Sequence, residues 1–107
     1  MECLNKVQLR GYVGSVNKTA VGDTQCVRFS VATNYAYKGK GGEPVVETTW
    51  HSCVAWANNE NVDVTTIAKG AKVELSGRLR QQRYVDANGN DRSFVDIYVG
   101  KLTAIEE

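Results

Sequence analysis

The sequence predicts an all-β domain, and three observations carry that reading. Apolar and polar residues alternate with period two in most of the hydrophobic runs, the signature of half-buried strands. Segments rich in Gly, Asn and Asp divide these runs where chain reversals are needed. Only one stretch, between the third and fourth runs, departs from strand patterning.

The first strand sets Val7, Leu9 and Val13 on one face against Lys6, Gln8, Arg10 and Tyr12 on the other. In the second, Val27, Phe29 and Val31 oppose Arg28, Ser30 and Ala32. Lys38-Gly39-Lys40-Gly41-Gly42-Glu43-Pro44 is too Gly-rich to continue a strand and reads as a mobile, basic loop. A third strand runs from Thr48 to Ala57, apolar on both faces over its second half. Asn58-Asn59 then caps a short helix through Ala68, with Val64, Ile67 and Ala68 as its apolar stripe and Gly70 at the left-handed stop. Val73, Leu75 and Leu79 mark the fourth strand, opposed by Lys72, Glu74, Arg78 and Arg80. Asp86-Ala87-Asn88-Gly89-Asn90 is a hairpin signal, because Asn-Gly supplies the positive φ of a tight turn. Val95, Ile97 and Val99 complete the fifth strand. Five strands with one short helix between strands 3 and 4 is the plan of the OB-fold, a five-stranded Greek-key barrel used for oligonucleotides and oligosaccharides.

With 107 residues, 42% hydrophobic and 23% charged, the expectation is a single domain over 1–107 without repeats or linkers. No apolar run approaches the roughly 18 residues a membrane helix needs. Met1-Glu2-Cys3-Leu4-Asn5 has neither the basic nor the apolar region of a signal peptide. Membrane and secreted readings are therefore excluded. Cys3, Cys26 and Cys53 form no CxxC pair, and one His cannot complete a zinc site with them. They read as reduced thiols packed as small hydrophobes, with no metal and no cofactor. The net charge is only +1, but its distribution is uneven. Residues 4–40 hold six bases and one acid, residues 43–63 four acids and no Lys or Arg, and residues 69–83 five bases and one acid. Clustering of this kind builds local positive fields.

Trp50 and Trp56 lie six residues apart on one strand and so share a face. Tyr37 stands at the mouth of the basic loop, and Tyr84 follows Arg80 and Arg83 just before the hairpin tip. Large aromatics on strands are most often core, yet the apolar alternators already supply one. Tyr37-Lys38-Gly39-Lys40 and Arg80-Gln81-Gln82-Arg83-Tyr84 each interleave a ring with cations. Single-stranded nucleic acid needs that pairing, since bases stack on ring faces while cations follow the phosphates. Catalysis has little support: His51 has no local polar partner, Asp86, Asp91 and Asp96 read as solvated turn and strand-edge residues, and no P-loop, GxSxG or HExxH occurs.

These residues resemble the bacterial single-stranded DNA-binding protein family from Asn5-Lys6-Val7 to about Val99. The matching fragments are Asn5-Lys6-Val7 with Gly11 and Gly14, Phe29-Ser30-Val31-Ala32-Thr33, Thr49-Trp50-His51, Lys69-Gly70, Gly77-Arg78-Leu79-Arg80, and Asp86 through Arg92. The resemblance implies an OB-fold homotetramer that wraps single-stranded DNA without sequence preference in the bacterial cytoplasm, at the nucleoid. It implies stacking at Tyr37, Trp50, Trp56 and Tyr84, phosphate contacts at Lys6, Lys38, Lys40, Lys69, Arg80 and Arg83, and a place for His51 in the subunit interface.

Three departures qualify the match. The sequence ends at Leu102-Thr103-Ala104-Ile105-Glu106-Glu107, without the Gly/Pro/Gln-rich tail and acidic tip common in the family. Recruitment of repair and replication enzymes by that tail is accordingly not carried over. Ser52, Asn58 and Gln82 are neutral where a base is common, and two stacking positions carry Tyr instead of Trp. Weaker, salt-sensitive binding is expected. The alternative reading is an OB barrel kept as a protein-interaction or primosome-type subunit with a degraded DNA face, which burial of Trp50 and Trp56 in a subunit contact would favour.

Overall fold

The computed structural model describes residues 2–105; Met1, Glu106 and Glu107 lie outside the described residues, and with them the last two positions of the expected tail-less end. Five strands form, β1 (Val7–Val21), β2 (Thr24–Lys38), β3 (Pro44–Trp56), β4 (Lys72–Val85) and β5 (Asp91–Ala104). They close into a barrel in the order β1-β2-β3-β5-β4. All neighbours are antiparallel except β3 and β5, which meet in parallel through Cys53↔Ile97 and Val54↔Tyr98. Every strand has two neighbours in the closed order, although Val7–Gly11 of β1 pair with β4 and not with β2.

The expected alternators fill the interior. Val13, Val27, Phe29, Val31, Val73, Leu75, Ile97 and Val99 are buried in one cluster, joined by Cys53, Ala55 and Leu102. Val7 and Leu9 pack half-buried against this cluster, whereas Leu79 and Val95 stand 49% and 57% exposed. Leu79 follows a register shift between Ser76 and Gly77, beyond which β4 no longer pairs with β1. Gly77 is required there: a Cβ at that position would overlap the Tyr98 carbonyl oxygen. The bulge thus turns β4 from barrel wall into a projecting arm.

The strands are much longer than their hydrophobic alternation indicates. β2 and β3 continue together from Ala32↔Trp50 out to Lys38↔Pro44, and β4 and β5 to Val85↔Asp91. Both arms stand clear of the core, with water on two faces, so neither face selects apolar residues and the period-two signal fades. The radius of gyration, 16.2 Å, exceeds the roughly 13 Å of a compact chain of this length for the same reason. The Gly-rich segment is a hydrogen-bonded turn closing the β2–β3 arm: Gly39 N donates to Glu43 O at 2.8 Å and Gly42 N to Gly39 O at 3.0 Å.

The expected helix contracts to a single 3₁₀ turn, Val64–Thr66. Its cap is Asp63, whose carboxylate accepts from Thr65 N at 3.0 Å. Asn59 is engaged elsewhere, donating to Gly100 O at 3.1 Å and accepting from Asn61 N at 2.9 Å. The β-branched run Val62, Val64, Thr65, Thr66 and Ile67 disfavours helix propagation. Val62 and Ile67 instead join the buried core cluster.

Cys26 and Cys53 are buried as expected, whereas Cys3 precedes β1 and is exposed. Burial, reinforced by the nearby Asp96 charge, pushes the Cys53 thiol up to about 12. An unfolded chain ionises this thiol near pH 9 and the folded chain does not, so this group's stabilising preference for the native state is lost as pH rises from about 9 toward 12. Titration with a thiol reagent at pH 8 is expected to modify Cys3 alone in the native protein and all three cysteines in denaturant. Rapid native modification of Cys53 would contradict its burial.

Candidate nucleic-acid interface

Parity divides the sheet surface. Trp50, Ser52, Val54 and Trp56 leave β3 on the outer side, opposite the inward Cys53 and Ala55. Trp50 is 61% exposed. Its indole lies over Gly14, where a Cβ would overlap ring atom Cζ3 and approach Cη2 to 2.8 Å. Gly14 sits in the β1 bulge between Val13 and Val16, held by Ser15 N donating to Ser30 Oγ at 2.9 Å. One side of the indole is thus braced on bare backbone while the residue remains open to solvent. Trp56, at the other end of the face, is half-buried opposite Cys26.

Tyr84 leaves the β4–β5 arm 52% exposed, with its ring centroid 6.0 Å from that of Phe94 at 59°. Arg83 shares the neighbouring hairpin groove with Tyr84, Asp91 and Arg92. The hairpin tip is fastened by Asp86, which accepts from Arg92 Nε and from the Asn90 and Asn88 amides, each at 2.9 Å. The Arg92 guanidinium, then those amides, hold the Asp86 carboxyl below its ordinary range. This fastening therefore persists at neutral pH and is released as pH falls through the depressed value.

The remaining candidates are dispersed. Tyr37 and Lys38 line a shallow depression at the tip of the β2–β3 arm with Gly42 and Pro44, and Lys40 is exposed in the adjoining turn. Tyr37 has the parity opposite to Trp50 on this ribbon and leans toward Tyr35, centroids 6.1 Å apart. Lys69 is exposed beside Gly70, whose amide donates to Val13 O at 2.8 Å, next to the Gly14 seat of Trp50. Lys6 stands apart, in a groove across β1, β4 and β5 with Gln8, Glu74, Ser76 and Lys101. His51 is half-buried on the inward side of β3, Nε2 lying 2.8 Å from Thr33 Oγ1, at the edge of a depression that includes Leu79 and Val95.

Asp96 corrects the strand-edge expectation. It is 2% exposed, with Oδ1 3.4 Å from Arg80 Nε and Oδ2 accepting from Gln82 Nε2 at 3.1 Å. Arg80 is only partly free for a phosphate, because its guanidinium is also 4.9 Å from the Tyr98 ring centroid. The outward parity of β5, Phe94-x-Asp96-x-Tyr98, is the sequence signal for this layer, alternating with the apolar set Val95, Ile97 and Val99. Phe94 and Arg28 are further exposed groups of this face, beyond the set expected from the sequence.

Known proteins resemble this chain in sequence and in fold. The chain is 32% identical over 94 residues to single-stranded DNA-binding protein 1 of Chlorobaculum tepidum, covering 85% of this chain and 57% of that protein. It is 30% identical over 102 residues to the single-stranded DNA-binding protein of Neisseria meningitidis, covering 92% and 58%. It therefore spans somewhat over half the length of these relatives. A mitochondrial single-stranded DNA-binding protein of Danio rerio is 30% identical over 113 residues, covering 97% and 77%. Among solved structures, the Plasmodium falciparum SSB complex with ssDNA superposes with a TM-score of 0.83 at 24% identity, covering 99% of this chain and 98% of that one. That similarity bears out the OB-fold expected from the order of elements. Residues 4–105 match the family model described as the Single-strand binding protein family, and the chain belongs to that family.

Proposed function

We propose that this protein binds single-stranded DNA without sequence preference, protecting and unfolding it during replication, recombination and repair. The observation that carries the reading is the exposed Trp50 indole braced on Gly14, on the strand 2–3 face that OB-folds use for oligonucleotides. Trp50, Trp56, Tyr84 and Tyr37 supply stacking faces; Lys38, Lys40, Lys69 and Arg83 supply exposed cations, with Lys6 on a separate groove and Arg80 shared with Asp96. Ring faces and phosphates are common to every sequence, so the mechanism discriminates little among bases. Binding removes unpaired strands from the duplex equilibrium and thereby melts secondary structure by mass action.

The active form is a homotetramer in the bacterial cytoplasm, at the nucleoid, acting as a binding protein and not as an enzyme. Exposed Leu79 and Val95 near His51 form an apolar inward-parity surface suited to a subunit contact, and Trp50 borders the same depression. The alternative interaction-module reading would require that contact to cover the indole, whereas the DNA-binding reading keeps it open at the margin. No helix among the described residues is long and apolar enough to cross a membrane.

Titration with oligo(dT) while following tryptophan fluorescence tests this reading. Strong quenching is expected at low salt, and log K should fall with log salt by about 0.7 for each phosphate neutralised. Unchanged fluorescence at low salt would return the protein to the interaction-module class.

A further inference from the structure

We propose that Phe94 and Arg28 form an additional nucleotide subsite, a stacking ring and a phosphate contact, between the Trp50 face and the β4–β5 arm. The proposal rests on the single-stranded DNA reading above and extends its path. Phe94 is 41% exposed and points to the outer side of β5. It lines a groove of about 250 Å³ with Arg28, Ser30, Ser52, Val54 and Asp96. Ser52 and Asp96 also border the depression that contains Trp50, while Tyr84 lies 6.0 Å from Phe94 on the other side. Phe94 therefore fills the interval between two stacking candidates that are otherwise on separate strands.

The groove has the chemistry of a nucleotide site. Val54 gives it an apolar floor, 2% exposed, and the ring offers a face to a base. Arg28 is exposed on β2, directly across from Val54. Among the described residues no carboxylate pairs with it. Asp96 is the acid in this groove, and its two oxygens are already engaged by Arg80 and Gln82, so its charge is offset where a phosphate would approach. Ser52 adds a hydroxyl able to donate to phosphate or sugar oxygens, while Ser30 Oγ is held by Ser15 N and Ser15 Oγ, each at 2.9 Å.

The test compares wild type, Phe94→Leu, Phe94→Trp and Arg28→Ala for affinity to oligo(dT) of fixed length across a salt series. Phe94→Leu keeps apolar volume and removes the stacking face, and is expected to weaken binding about tenfold at unchanged salt slope. Phe94→Trp should retain affinity. Arg28→Ala should reduce the magnitude of the salt slope by about 0.7. Thermal melting of each variant, expected to match wild type, separates lost contacts from lost folding. Wild-type binding together with an unaltered Phe94→Leu affinity, or an unaltered Arg28→Ala slope, overturns the subsite alone. Absence of binding by wild type overturns the underlying function as well.

Discussion

Trp50→Ala is expected to weaken oligo(dT) binding by about a hundredfold, near the upper end of the roughly 1–3 kcal/mol per stacked base. The melting temperature should stay close to wild type, because the side chain is 61% exposed and contributes little buried area. The large effect follows from the seat on Gly14. A free surface tryptophan must lose rotamer freedom when a base stacks on it, whereas this indole is already held. Gly14→Ala supplies an independent check. Its Cβ would occupy the indole's place, so it should lower affinity without removing any aromatic group. Isothermal titration of both variants measures the effect. A Trp50→Ala affinity within twofold of wild type would remove the stacking mechanism from this face.

The barrel was legible because its strands bury one face, and burial imposes alternation on Val27, Phe29, Val31, Val73 and Leu75. The arms were not, since Tyr35, Val46 and Val85 are exposed and nothing enforces a pattern where water lies on both sides. The helix does not extend from Asn58-Asn59 because the Asn59 side chain is taken up by Gly100 O instead of capping. Parity sufficed to pair Trp50 with Trp56. It could not reveal that Arg80 is drawn toward a buried carboxylate, because Asp96 resembles any polar strand residue until β4 is registered against β5 by Arg80↔Asp96.

That buried pair sets the second large effect, an asymmetry between its two halves. Arg80→Ala is expected to destabilise the fold by about 3 kcal/mol, and Asp96→Asn by about 1 kcal/mol. The Asp96 side chain is 2% exposed and cannot recover solvent when its cation is removed, while Arg80, at 29%, can turn outward to water. Arg80→Ala therefore strands a charge beside Gln82 alone, whereas Asp96→Asn keeps an oxygen acceptor for Gln82 and removes the charge that needed compensation. Urea denaturation of both variants at one protein concentration measures the difference, since oligomer stability depends on that concentration. The double variant Arg80→Ala/Asp96→Asn should be more stable than Arg80→Ala, because deleting the stranded charge removes its desolvation cost. Equal destabilisation by the two single changes would show that water reaches the carboxylate. Arg80 would then be left as an ordinary surface cation, available in full to the DNA backbone.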